Sequence, residues 1–297
     1  MQLSQIRALV SLAESGSIRG AARALGLSQS AVTRSLREME RDLGATLLIR
    51  QTHGTEFTAA GQSMLSHARL VLTTMERAQE DVQRLSGQRQ TNVRVAITPV
   101  LAAFSLRRLV ADFGARYPDG LLDLDVGFML KALPKLIEGH LDFAVVLADS
   151  ATLPSDMTFV KIREIQMIPV ANQAAGLSGP IGWEDLARRR WAINPSPAGS
   201  DQAFLDWLDR RGIRLQQAPI HCRSPYLLSI LSEADDVVEL CPEPLYRKQL
   251  YARGLRAIEV PDLPPPMQMG VVYLTHMPRS EPVQWAIDAA IRMARSF

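Results

Sequence analysis

Between Ser28 and Arg37 the chain places six side chains suited to reading a nucleic acid within ten residues. At helical spacing, Gln29, Ser30, Thr33, Arg34 and Arg37 fall on one outer face, with Ser28 just ahead of them as an N-cap whose hydroxyl accepts an orphan backbone N–H. Arg34 can read O6 and N7 of guanine in bidentate fashion or hold a phosphate, and Gln29 can pair with adenine. Ser30 and Thr33 are short enough for base edges or backbone, and Arg37 suits a phosphate. Arg50 and His53 follow in a short hairpin-like stretch, where a cation reaches a phosphate or a minor groove.

The surrounding pattern supplies the elements that must hold these residues. Ile18 to Arg37 reads as two helices joined by a tight turn: Ala22 is small enough for the helices to touch, Gly26 takes the turn, and Val32 returns to the shared core. This is a helix-turn-helix whose second helix runs to about Leu43, where Gly44 stops it. An amphipathic helix from Leu3 to Glu14 precedes it. Leu47–Arg50 and Thr55–Phe57 read as the strands of a wing. Met64, Ala68, Val71, Met75, Ala78, Val82 and Leu85 then recur at alternating spacings of four and three, a heptad seam whose simplest partner is a second copy of the chain. A polar linker from Ser86 to Asn92 follows, and beyond it strands and helices alternate to the end, predicting an α/β domain with largely parallel sheets.

In open α/β sheets ligands bind beyond the carboxyl ends of strands, where helix N-termini favour anions. Three such points stand out: Thr98-Pro99 after the first strand, Ser196 to Ser200 after Trp191–Asn194, and Arg223-Ser224 after the strand ending at Cys222. Phe128 and Met129 add an apolar wall. The combination predicts a small anionic effector with an apolar body, such as an aromatic or short-chain acid.

Composition narrows the classes. With 297 residues, 47% of them hydrophobic, the chain has material for two or three packed domains and is not a disordered polyelectrolyte, its net charge being +2. Residues 1–90 carry 11 Arg and no Lys against 8 acidic residues, so the basic excess lies with the helix-turn-helix. Cys222 and Cys241 read as buried thiols of a reducing compartment. No run of apolar residues predicts a membrane span or an export signal. The histidines (53, 67, 140, 221 and 276) lack metal-ligand spacing, and no phosphate loop or nucleophile elbow is present, so neither a metal, a cofactor nor an enzyme is expected.

The segments Ser17-Ile18, Ala21-Ala22, Leu25 to Val32, Arg37 to Glu40, Leu43-Gly44, Leu47 to Arg50 and Phe57 to Gly61, followed by Tyr117-Pro118 and Gly139 to Ala144, resemble the LysR-type transcriptional regulators over nearly the full length. The resemblance implies a winged helix-turn-helix DNA-binding domain at 1–58 and a dimerising linker helix at 59–88. It also implies a two-lobed α/β effector domain like a periplasmic binding protein, with lobe I at 92–165 plus 268–297 and lobe II at 166–267. A homotetramer in a bacterial cytoplasm follows from it, with an operator DNA, a small-molecule effector and RNA polymerase as partners. His53-Gly54 stands where the family's wing tip usually has Arg-Gly, which predicts weaker or pH-dependent wing contacts. The expected function is a ligand-responsive DNA-binding transcriptional regulator; the alternatives are a solute-binding receptor, or a DNA-binding protein with no effector.

Overall fold

A computed structural model describes residues 1–51, 54–87 and 91–296, without the side chains of Arg50, Gln51 and Gly54. The chain divides into two compact units, residues 1–89 with 137–140, and residues 90–136 with 141–297.

The first unit begins with α1 (Leu3–Ser15), α2 (Ile18–Leu25) and α3 (Gln29–Leu43). Each of the three stops at a left-handed glycine, Gly16, Gly26 and Gly44, the conformation that costs glycine least. Their starts are as locally encoded: the Ser17 hydroxyl accepts from the Gly20 N–H at 3.0 Å and the Ser28 hydroxyl from Ala31 at 3.1 Å. Ile6, Leu9 and Leu12 of α1, Ala21 and Ala22 of α2, and Val32, Leu36 and Met39 of α3 form one buried core. The hairpin β1 (Leu48–Gln51) and β2 (Gly54–Phe57) pairs antiparallel, Leu48 opposite Phe57. Its base is fixed from below by Glu40, whose Oε1 accepts the backbone N–H groups of Leu47 and Leu48 at 2.8 and 3.1 Å.

Helix α4 (Ala59–Leu85) spans 27 residues, about 40 Å at 1.5 Å per residue. Its first turns join the core through Leu65 and Ala68. The apolar seam splits at this point. Ala68 is covered by the unit's own helices, whereas Val71, Met75, Ala78, Val82 and Leu85 are exposed, Leu85 at 77%.

The second unit contains two five-stranded sheets. The first has the order β4-β3-β5-β12-β6, built from β3 (Asn92–Ile97), β4 (Leu121–Val126), β5 (Phe143–Ala148), β6 (Met157–Ile165) and β12 (Met267–Leu274). The second has the order β11-β7-β10-β8-β9, from β7 (Met167–Asn172), β8 (Arg190–Ile193), β9 (Ile220–His221), β10 (Val237–Pro242) and β11 (Leu255–Ala257). Helices α5 (Pro99–Arg116), α6 (Met129–Ile137) and α11 (Glu281–Arg295) accompany the first sheet. The second has α7 (Trp183–Leu186), α8 (Ser200–Asp209), α9 (Pro225–Leu231) and α10 (Glu243–Leu245). The chain passes from the first sheet to the second at Gln166 and returns with β12.

That double crossing corrects the expectation of largely parallel sheets. β12 runs antiparallel to both β5 and β6, and β7 antiparallel to both β10 and β11, so each sheet is half parallel and half antiparallel. A strand that arrives from the other sheet is not constrained by the right-handed crossover that keeps successive βα units parallel. Strand β6, half-buried along most of its length with no regular alternation, is an element the hydrophobic pattern alone does not reveal.

Candidate DNA-binding face and effector cleft

On α3, Ser28, Gln29, Ser30, Arg34 and Arg37 are exposed and Thr33 is half-buried, while Val32 and Leu36 point into the core. Ser28 and Ser30 share a hydroxyl–hydroxyl hydrogen bond of 2.9 Å, and Ser28 also serves as the N-cap. Among the described residues neither Arg34 nor Arg37 has an ion-pair partner, so their guanidinium groups are available to an external anion. His53 and the side chain of Arg50 lie outside the described residues.

In the second unit a cavity of about 300 Å³ is lined by both sheets' loops. It gathers six of the eight residues expected around an effector: Thr98, Pro99, Phe128 and Met129 from the first lobe, Ser196 and Ser200 from the second. Arg223 and Ser224 do not line it. Arg223 is exposed and the Ser224 hydroxyl caps α9, accepting from Leu227 at 3.4 Å. Their place on the wall is taken by Pro225, Tyr226, Leu228 and Ser229, in the helix that begins at the next residue. Thr98 is buried and precedes α5 without capping it through its side chain, which leaves the hydroxyl beside the cavity.

The cavity also contains two carboxyl groups that the sequence pattern does not single out. Asp201, in the first turn of α8, is buried and accepts the Asn194 N–H at 2.5 Å and the Ser200 hydroxyl at 3.4 Å. Burial pushes its pKa up to about 6, against the lowering effect of the Asn194 hydrogen bond. Glu239, in the middle of the central strand β10, is 4% exposed. Burial pushes it up to about 8, and the nearby Asp201 charge adds to the rise. Its Oε2 has no hydrogen-bond partner, and neither does the enclosed Oδ1 of Asn194. Glu239 lies opposite Ala192 in the parallel pairing of β10 and β8. Asn194, two residues beyond Ala192, therefore points to the same face of the sheet. The signal in the sequence was a lone acid in an apolar strand, Val237-Val-Glu-Leu-Cys-Pro242. Asp201 gave no signal, because acids in a first helical turn are ordinary surface residues.

Arg253 is the only basic residue among those lining the cavity, and its guanidinium already pairs with Glu233 at 2.9 Å. Cys241 also lines the cavity as a buried free thiol. Burial, aided by the Glu239 charge, raises its pKa well above the ordinary value, which keeps it a poor nucleophile. Among the described residues no group of acidic, histidine or cysteine side chains could hold a metal, and no helix is long and apolar enough to cross a membrane.

The helix-turn-helix with its hairpin, the long helix and the two-sheet unit agree with what sequence comparison finds. Residues 3–62 match the bacterial regulatory helix-turn-helix proteins of the lysR family, and residues 86–295 match the LysR substrate binding domain. The chain belongs to the LysR family of transcriptional regulators, which are not enzymes. Among curated relatives, the HTH-type transcriptional regulator TdcA of Escherichia coli K12 is 24% identical over 202 residues, 68% of this chain and 65% of TdcA. The small neutral protease regulatory protein of Streptomyces coelicolor is 32% identical over 209 residues, 66% of this chain and 65% of that protein. The chain thus matches about two thirds of the length of these relatives. Among solved structures, ArgP from Mycobacterium tuberculosis superposes with a TM-score of 0.66 at 19% identity, covering 99% of this chain and 97% of ArgP. CbnR, in the crystal structure with its target DNA, gives 0.61 at 18% identity, covering 99% and 100%. At these identities the structures establish the fold alone.

Proposed function

We propose that this chain is a bacterial, cytoplasmic, effector-responsive regulator that binds a double-stranded DNA operator through α3 and senses a small molecule in the cleft of its α/β unit. The observation that carries the DNA half is the outer face of α3, where Gln29, Ser30, Arg34 and Arg37 are exposed beside a well-packed core and the two arginines have no internal partner among the described residues. In this reading Gln29 and Arg34 reach base edges, while Ser28, Ser30, Thr33, Arg37 and Arg50 hold phosphates. His53 is assigned to the wing contact by its place in the sequence. CbnR, of the same fold, is solved on its target DNA.

The exposed part of the α4 seam supports a homodimer through residues 59–88, and a dimer presents two recognition helices to two half-sites of a near-symmetric operator. The homotetramer and a contact with RNA polymerase follow from the family. The domain division is 1–58 for DNA binding, and 92–165 with 268–297, and 166–267, for the two lobes. Effector binding in the cleft between the two sheets shifts the population of lobe arrangements, and with it the spacing of the DNA-binding heads.

The sign of the effector's charge has two arguments on either side. Helix N-termini at Thr98-Pro99 and Ser196–Ser200 favour an anion. The enclosed Asp201 and Glu239, and the pairing of Arg253 with Glu233, favour the opposite.

The test is footprinting and salt-dependent affinity on the promoter region adjoining the gene, with wild type and Arg34→Ala. A specific footprint, weakened by about 1–3 kcal/mol in the variant with the fold intact, is expected. Unchanged operator affinity in Arg34→Ala refutes the α3 assignment.

A further inference from the structure

We propose that the effector of this cleft is a small organic cation, a protonated amine or guanidinium on an apolar body, seated with its N–H donors against Glu239 and Asn194. The inference rests on the reading that the cleft is the effector site, and it replaces the anionic effector expected from sequence.

Three observations support it. The first is the pair of orphaned acceptors. Oε2 of Glu239 and Oδ1 of Asn194 are both enclosed, both beside the cavity, and both without a hydrogen-bond partner. A buried polar group left unmade is costly, and once Glu239 is ionised both oxygens are acceptors that a ligand's donors would satisfy. A ligand ammonium or guanidinium carries several N–H donors, enough for both.

The second is charge. The groups facing Glu239 are Asp201 from α8 and Cys241 from its own strand, and across the sheet its register partners are the apolar Val170 and Ala192. None is positive. A ligand carboxylate would add a negative charge beside the buried Asp201, while the one basic residue among those lining the cavity, Arg253, already pairs with Glu233.

The third observation weakens the sequence argument for an anion. The first turn of α8 is already occupied by a carboxyl, Asp201, which accepts the Asn194 N–H. Helix α5 begins with Pro99, which has no N–H and so leaves one donor fewer at that terminus, those of Val100 and Leu101 remaining. Helix α9 is two turns long and its Ser224 hydroxyl already takes one of its free donors. Apolar residues, Phe128, Met129, Leu228 and Leu245, line the space around the acids and suit the body of such a ligand.

Before binding, burial keeps Glu239 mostly protonated at pH 7. Seating an ammonium stabilises the carboxylate, so the Glu239 proton leaves to solvent as the cation enters, and net charge balances. Binding at pH 7 should therefore release most of one proton, since a group titrating near 8 is largely protonated at that pH.

The experiment is calorimetric titration of the full-length protein at pH 7, in two buffers of different ionisation enthalpy. The probes are matched amines, carboxylates and alcohols on butyl, cyclohexylmethyl, benzyl and phenethyl bodies. Wild type is compared with Glu239→Gln and with Leu228→Trp, which fills the cavity. The expected result is at least one amine that binds roughly tenfold or more tighter than its carboxylate and alcohol counterparts. Its binding releases close to one proton, falls at least tenfold in Glu239→Gln, and disappears in Leu228→Trp. Carboxylates that bind in preference to amines, and are lost in Leu228→Trp, overturn the cation and leave the cleft as effector site. Amines that bind Glu239→Gln as well as wild type, with no proton release, also overturn it. Binding that survives Leu228→Trp, or no binding by any probe, overturns both the cation and the cleft. The proton count in wild type needs no variant, so a poorly folding Glu239→Gln does not block the test.

Discussion

Glu239 makes the stability of the α/β unit depend on pH in a direction opposite to that of an ordinary paired carboxylate. Its pKa rises from 4.5 to about 8 on folding, so between those values the folded state holds a proton that the unfolded state has lost. Stability from this group is complete below pH 4.5, falls as pH rises, and is fully lost above about 8. With about 1.4 kcal/mol for each pH unit of difference, the change between pH 5 and pH 8 is on the order of 3–4 kcal/mol. Glu239→Gln keeps the shape and removes the titration. Any difference in packing or hydrogen bonding moves its curve by a constant, and Asp201 titrates in both proteins. The assay is thermal unfolding of wild type and Glu239→Gln in ligand-free buffer at half-unit steps from pH 5 to 8.5. For a unit of this size each kcal/mol is about 2–4 °C, so the variant should gain roughly 7–14 °C relative to wild type across that range. A gap that stays constant with pH would falsify the claim that Glu239 is buried without a partner.

Two further perturbations test the first unit. A Cβ at Gly61 would meet the Leu47 carbonyl oxygen at 2.1 Å, so Gly61→Ala should cost about 1–3 kcal/mol by forcing α4 away from the wing; an unchanged melting temperature contradicts that packing. Val82→Glu with Leu85→Glu places two charges on the exposed seam of α4. Light scattering should then show a smaller oligomer, and an unaltered mass means that this seam does not hold the copies together.

Much of the first unit was legible because its signals are local. Ser17, Ser28, Gly26 and Gly44 act within a turn of their own position, and each serves in the structure as the cap or stop that its residue type and place imply. Family resemblance then fixed the order of the domains. The α4 seam was half legible. Its period was plain, but a period does not say which turns the chain itself covers, and Ala68 is covered where Val82 is not. Arg223 and Ser224 mark a helix start in the sequence, yet the cavity wall begins only with the next residue, Pro225, and the path of α9 decides which residues face inward.

The sequence alone thus determined the helix-turn-helix, its exposed face, and the alternation of strands and helices, since helical period, caps and turns depend on neighbours within a few positions. The tertiary structure decided the rest. Strands β6 and β12 are separated by about a hundred residues that build the second sheet, so their antiparallel pairing leaves no local trace in the sequence. The character of the cleft was decided in the same way. Glu239 and Asp201 are 38 positions apart, and each is an ordinary acid until folding removes both from water and leaves one of them without a donor. Desolvation is a property of everything packed around a group, and the residues around Glu239 come from strands and helices across the whole second lobe.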